Sequence, residues 1–518
     1  MLVYLSSTYR SRELSVSENN VSDDTGSDRE GFDELDEGDP SENPMADLSP
    51  FADGNEGTNL DEDSDYELED AEYQEDADRV YEELLARIGE AAPQPRLDAT
   101  RRALELLGDP QRSYPIIHIT GTNGKTSTSR ITESILRAYG LRTGLMTSPH
   151  LVRVNERIVI DGLPISNRAL AANWNDISPF LDLVDSELEK KSEEPLTFFE
   201  ALTVLAYASF ADAPIDVAVV EVGMGGEWDS TNVGDGQVAV FAPIALDHTQ
   251  RLGSTVAEIA RTKAGIIKPA AAVVSAAQTP DALAELERAA ELTESTLAVE
   301  GSAFELLSST VAVGGQVIAV HGLAGTYSDL FLPLFGEHQG RNAALAIAAV
   351  ESFLGGGTQP LVGDVLAEGL ATATSPGRLQ IIGTDPTVLV DAAHNPHGAA
   401  ALATALAAYF TFDEIAIVLG VLQDKDAGGI VEALAPVAAL FHVTQSQSER
   451  AIPFDELADL VASHAQPEAV VPYESFEHAV QDARVWASAA PRRAVIVTGS
   501  ITLVGEAIEL GLSEKWKP

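Results

Sequence analysis

The sequence predicts an α/β protein of two domains, each built on a mostly parallel sheet. Three observations carry this. Runs at 115–120 (PIIHIT), 216–223 (DVAVVEVG), 237–244 (QVAVFAPI), 387–393 (TVLVDAA), 414–421 (EIAIVLGV) and 493–500 (RAVIVTGS) are near-continuously apolar, as strands covered on both faces are. Helical periodicity separates several of them, for example over Ala399 to Tyr409 and Asp455 to Ala465, and such alternation is the pattern of a doubly wound sheet. A glycine-rich turn joins the first run directly to an amphipathic helix.

Taken in order, residues 1–77 are polar, acidic and low in complexity. The first 80 residues carry 26 Asp or Glu against four Arg, a net of −22. Such a stretch buries too little apolar surface to offset the entropy of ordering, so a disordered acidic tail is expected, with the globular chain starting at Asp78. Residues 315–336 read as short antiparallel strands joined by glycine turns. A boundary is expected near 373–378 (ATSPGR), dividing a first domain, 78–373, from a second, 377–518.

The formal charge of −49 repels a polyphosphate backbone and argues against nucleic acid as a partner. The chain has no cysteine, hence no disulfide framework and no thiolate ligand or nucleophile. No apolar run approaches the roughly 18 residues of a spanning helix, and MLVYLSSTYRSR makes a poor secretory signal. A soluble, cytoplasmic monomer with no membrane partner is expected.

The stretch His118 to Arg130, HITGTNGKTSTSR, looks like a phosphate-binding loop, yet the usual G-x-x-x-x-G-K-[ST] spacing would need a glycine where Ile119 stands. Here a strand enters Gly121-Thr122-Asn123-Gly124, and a helix starts near Lys125. That helix carries an apolar stripe of Ile131, Ile135, Leu136 and Tyr139, and stops at Gly140. Glycines let backbone N–H groups converge on a phosphate, and the helix N-terminus adds favourable partial charge. Lys125 would reach the β- and γ-phosphates, and the Thr126 hydroxyl would serve a magnesium ion. Taken alone, an ordinary strand–helix turn also fits.

The rest of the chain supplies the context. TGTNGKTS (120–127) resembles the ATP loop of the Mur-ligase superfamily, which lacks the early glycine. SPHLVRVNERI (148–158), TFFEALT (197–203), EVGMGG (221–226), DSTNV (229–233), ALDHTQRLG (245–253), IARTKAGIIKP (259–269), GEHQGRNAALA (336–346), SPGRLQ (375–380) and DAAHNPHGA (391–399) follow in register. Over about 440 residues the chain resembles the folylpolyglutamate synthase/dihydrofolate synthase family. The resemblance implies an N-terminal P-loop ATPase domain and a C-terminal Rossmann-like α/β glutamate-ligase domain. The activity it implies is ATP-dependent addition of L-glutamate to dihydropteroate, to tetrahydrofolate polyglutamates, or to both, through an acyl phosphate.

It also implies a site. ATP would be held by Gly121, Thr122, Asn123, Gly124, Lys125, Thr126 and Ser127, with Gln339, Asn342, Arg378 and Asp391, beside His338. Mg²⁺ would be held by Thr126, Ser148, Glu221 and His248, with Lys263 in TKAGI carbamylated by CO₂ to an anionic oxygen ligand. Lys125, Lys263, His248 and His394 would be catalytic, His394 and Asn395 facing phosphate and incoming glutamate. Thr197, Phe199 and Asp229 would hold the pterin. Bland readings stand beside these: Ser148 shapes a turn before Pro149, His248 is a core histidine, Lys263 is a surface cation, and Phe198 and Phe199 are plain core. Glu221 ends an apolar strand, where an unpaired carboxylate is expensive, which favours a ligand or ion-pair role.

One departure matters. Glu227 stands in GGEWDSTNV where the family usually has arginine, and this reversal is expected to oppose an anionic folate near Asp229. Competing readings are a cell-wall Mur ligase, which should carry a sugar-nucleotide domain ahead of the loop; a P-loop NTPase switch, which would lack Lys263 and the second domain; and an inactive binding protein, for which Glu227 is the hint.

Overall fold

Each of the six apolar runs forms a strand, and nearly every residue of those strands is buried. The computed structural model describes residues 70–89 and 94–517. The first lobe holds β1 (Ile116–Thr120), β2 (Thr143–Met146), β3 (Ile158–Ile160), β4 (Leu163–Pro164), β5 (Val217–Glu221), β6 (Gly236–Phe241), β7 (Ala272–Ser275) and β8 (Thr296–Val299). They join in the order β4-β3-β2-β5-β1-β6-β7-β8, parallel from β2 to β8 and antiparallel at the β3 and β4 edge.

Alternate residues feed two cores. Ile117 and Ile119 pack under helices Lys125–Ala138 and Glu337–Gly355, while Ile116, Ala218 and Val220 face helices Asn167–Lys190 and Phe198–Asp212. Ile131, Ile135 and Leu136 are fully buried, each contributing on the order of 1.5–3 kcal/mol by leaving water.

A satellite sheet of β9 (Glu305–Ala312), β10 (Gly315–His321) and β11 (Thr326–Leu332) is wholly antiparallel. The sequence reading of 315–336 covers β10 and β11 but not β9, whose ELLSSTVA is half polar because it is an edge strand with little burial.

The second lobe holds β12 (Gln380–Thr384), β13 (Thr387–Asp391), β14 (Glu414–Leu419), β15 (Leu440–Val443), β16 (Val470–Pro472) and β17 (Arg493–Thr498). The order is β12-β13-β17-β14-β15-β16, antiparallel only at β12. Its cores begin at Leu379 and Ile382, whereas Ala373 still packs in the first lobe. The connecting segment crosses between lobes at 374–378.

The start of the globular chain needs correcting. A helix spans Gln74–Leu85, so Asp78 lies inside it. Ala77, Val80 and Leu84 form its buried stripe, and the Asp70 carboxylate accepts a bond from the Asn167 backbone N–H. Acidic residues on the outer face disguise the stripe in a composition count. Residues 1–69, where most of the expected tail falls, lie outside the described residues.

Candidate active site

The carboxyl ends of β1, β5 and β6 face the second lobe across a cavity of about 1090 Å³. All of the residues expected for nucleotide, metal and pterin line it: the loop 121–127, Ser148, Thr197, Phe199, Glu221, Asp229, His248, Lys263, Gln339, Asn342, Arg378, Asp391 and His394.

The loop explains the missing early glycine. Ile119 is still inside β1 and fully buried, so the turn starts two residues later. Gly121 has φ +155°, and a Cβ there would lie 2.7 Å from the Ala242 Cβ; Gly124 has φ +86°, and its Cβ would lie 2.6 Å from the Asn342 Oδ1. Both positions therefore exclude side chains, which brings Asn342 against the loop. Helix Lys125–Ala138 begins at once, and its first residues, Lys125, Thr126 and Ser127, line the cavity.

Below the loop, Thr126 Oγ1 donates to Glu221 Oε1 at 2.9 Å. Glu221 Oε2 is buried without a partner. Burial raises the Glu221 carboxyl, opposed by Lys125, Thr126, Arg378 and the Ser148 backbone. A buried carboxylate oxygen with nothing to bind is costly, and a divalent cation would satisfy it. Among the described residues no group of three or more His, Asp or Glu is arranged to hold a metal ion, and the candidate donors in this cavity are the Glu221 carboxylate with Thr126, Ser148 and His248. That sparse set suits Mg²⁺, which keeps waters and phosphate oxygens as ligands.

Lys263 is buried on helix Val256–Ala264, and its Nζ donates to the Gly121 carbonyl at 2.8 Å. Burial, then the charge of Lys125, pushes its ammonium down to about 7. The surface-cation reading is thereby set aside. His248 occupies the left-handed region at φ 48°, a conformation costing on the order of 1–3 kcal/mol. Burial and then Lys425 push its ring down to about 4, so at neutral pH it is uncharged and able to act as a ligand.

Asp247 joins the lobes. It lies 2.9 Å from Lys425 Nζ and 3.9 Å from the Nε2 atoms of both His248 and His394. Burial would raise its carboxyl, but the neighbouring rings of His394 and His248 and the charge of Lys425 hold it well below the usual range. His394 Nδ1 also contacts the Ala392 carbonyl at 2.9 Å. Above the loop, Asn395 Nδ2 donates to Asn123 Oδ1 at 3.0 Å, and His397 Nδ1 lies 3.1 Å from Asn123 Nδ2. The sequence singled out none of Lys425, His397 and Asp247 as site residues. Lys425, one of eight lysines, follows β14 at the strand's carboxyl edge, which was a usable signal.

The remaining candidates are already engaged. Asp391 accepts from the Leu379 and Ala393 N–H groups, and Asn342 donates to Gln339 Oε1. Asp229 accepts from Met224 N–H, Thr231 N–H and the Thr231 hydroxyl. Each carboxylate keeps spare lone pairs, but its first task is shaping its own loop. Thr197 caps helix Phe198–Asp212, and the Phe199 ring lies over Gly223, where a Cβ would approach to 2.6 Å. Phe198 is core, whereas Phe199 lines the cavity. Glu227 itself is exposed, sits beside Gly265 and does not line the cavity.

Residues 119–350 match the Mur ligase middle domain and residues 377–501 the Mur ligase glutamate ligase domain. The dihydrofolate synthase/folylpolyglutamate synthase of Mycobacterium tuberculosis is 44% identical over 445 residues, covering 82% of this chain and 91% of the relative. The chain belongs to the dihydrofolate synthase/folylpolyglutamate synthase family. The solved M. tuberculosis folylpolyglutamate synthase complexed with ADP superposes with a TM-score of 0.81 at 43% identity, over 85% of this chain and 99% of that one. The Escherichia coli structure in complex with DHPP and ADP gives 0.70 at 29% identity, over 81% and 94%. In this synthase the glutamate-ligase match opens at Gly377, at the crossing between lobes. Among the described residues no helix is long and apolar enough to cross a membrane.

Proposed function

We propose that this synthase joins L-glutamate to dihydropteroate, to tetrahydrofolate polyglutamates, or to both, at the cost of one ATP per amide bond. The substrate carboxylate attacks the γ-phosphorus, the β–γ bond breaks, and ADP leaves. The glutamate amine then attacks the acyl carbon and phosphate departs with both electrons of the C–O bond. The observation that carries this is the partnerless Glu221 Oε2 beneath a loop with Lys125 and Arg378 in the same cavity.

Two anions must meet, so charge neutralisation and positioning provide most of the catalysis. Lys125 and the loop amides hold the phosphates in line. Glu221, Thr126, Ser148 and His248 would hold Mg²⁺, which when bound neutralises charge on the transferring phosphoryl group. Carbamylated Lys263 would add an anionic oxygen beside them. Asp391, Gln339 and Asn342 shape the nucleotide end; Thr197, Phe199 and Asp229 shape the pterin end. Lys425 and Arg450 bring second-lobe cations to the cavity, where glutamate carboxylates need them. His394, beside Asp247, would take the proton that the amine loses. Closure of the two lobes keeps water from the acyl phosphate.

The test is ATP hydrolysis measured with glutamate alone, with dihydropteroate added, and with tetrahydrofolate added, followed by product masses. Hydrolysis dependent on a pterin, with a gain of one glutamyl residue, is the expected result. Hydrolysis indifferent to pterins would overturn the reading.

A further inference from the structure

We infer that Arg96 and Glu200 are positioning residues for the pterin end of the cavity, and that they act on pterin affinity without touching the phosphoryl chemistry. The inference rests on the pterin reading of Thr197 and Phe199. Arg96 Nε and Nη2 donate to Glu200 Oε1 and Oε2 at 2.9 and 3.1 Å, a bidentate pair. The same guanidinium donates to the Glu194 and Pro195 carbonyls at 2.8 and 2.9 Å. The two carbonyls lie on the segment that leads into helix Phe198–Asp212, and Glu200 lies in the first turn of that helix.

Glu200 in turn closes a capping box: its Oε2 accepts from the Thr197 N–H at 2.8 Å, and its own N–H donates to Thr197 Oγ1 at 3.2 Å. The Glu200 side chain is only 4% exposed. Thr197 is the N-cap and Phe199 the second helical residue, so one guanidinium fixes both ends of the turn that presents them. Planarity matters here. A lysine would keep the charge but could not hold two carboxylate oxygens and two carbonyls at once. Arg96 and Glu200 both line the cavity, and among the described residues neither is bonded to the loop 121–127, Glu221 or the second lobe.

The experiment measures KM and kcat for dihydropteroate, tetrahydrofolate and its diglutamate, and KM for ATP, in the parent, Arg96→Lys, Arg96→Gln and Glu200→Gln. Melting temperature is recorded for each. The expected result is a tenfold or larger rise in KM, equal for all three pterins, in Arg96→Gln and Glu200→Gln. Arg96→Lys should give a smaller rise, and kcat and KM for ATP should stay within twofold. Pterin KM unchanged in variants that melt like the parent would overturn the inference, as would parallel rises for ATP and pterin. A rise that grows with glutamate number would also overturn it, since that would put Arg96 on the tail instead. If one variant fails to fold, the other two carry the comparison. A parent that turns over no pterin would sink the functional reading and this inference together, whereas an active parent with indifferent variants sinks the inference alone.

Discussion

Lys425 of the second lobe places its Nζ 2.9 Å from Asp247 Oδ1 of the first, both side chains largely withdrawn from solvent at 7% and 12% exposure. Because His248 and His394 flank the same carboxylate, one ion pair ties the two lobes together beside the two histidines. Removing one partner of such a pair costs about 3–5 kcal/mol, since it leaves a buried charge uncompensated. Asp247→Ala and Lys425→Met should each lower stability strongly, and the double variant should recover much of the loss while remaining nearly inactive. Additive losses in denaturant titrations would show that the pair is not coupled.

Lys125→Ala should keep its fold, because the turn depends on Gly121 and Gly124 rather than on the ammonium, yet lose nearly all turnover. Steady-state rates within about tenfold of the parent, a barrier change of only about 1.4 kcal/mol, would remove Lys125 from the phosphoryl-transfer step.

Lys263→Ala should also be nearly inactive. If the lost element is a carbamate oxygen, acetate or formate should restore part of the rate and methylamine should not. Stripping CO₂ from the parent should reversibly lower its activity. Rescue by the amine would mean that Lys263 works as a plain cation bonded to the Gly121 carbonyl.

His118, fully buried on β1 and 2.9 Å from Thr231 Oγ1, has its ring pushed down to about 3 by burial and then by the charge of Lys268. Its charged form is disfavoured in the folded state and free in the unfolded one. The stability it confers is therefore complete above the unfolded value near 6.5 and is lost as pH falls from there toward 3, by about 1.4 kcal/mol per unit. Between pH 6.5 and 5, unfolding free energies of His118→Gln should fall less steeply than those of the parent, by nearly one proton's slope. Equal slopes would mean that the folded ring accepts a proton with little penalty.

Much of this was legible in the chain itself. The six apolar runs are strands because a parallel strand buried on both faces admits few polar residues. The site residues stood in short segments at strand ends, where glycines, a lysine and lone carboxylates have few structural reasons to gather. The edge strand β9 and the helix at Gln74–Leu85 escaped notice for one reason: each buries only a partial stripe, and polar or acidic residues outnumber it. Glu227, two positions from Asp229 in sequence, has an exposed side chain beside Gly265 that does not line the cavity.

The sequence by itself determined the strand–loop–helix unit at 116–138 and the order of its companions, since backbone freedom at Gly121 and Gly124, helix capping and apolar periodicity are local properties spanning a few residues. Only the tertiary structure decided that Asp247 meets Lys425, Asn123 meets Asn395 and Arg96 meets Glu200. Those partners lie more than a hundred residues apart, and charge or amide chemistry at one position does not name its mate. The choice is made when burial forces each polar group to take whichever partner the packed sheets bring within reach.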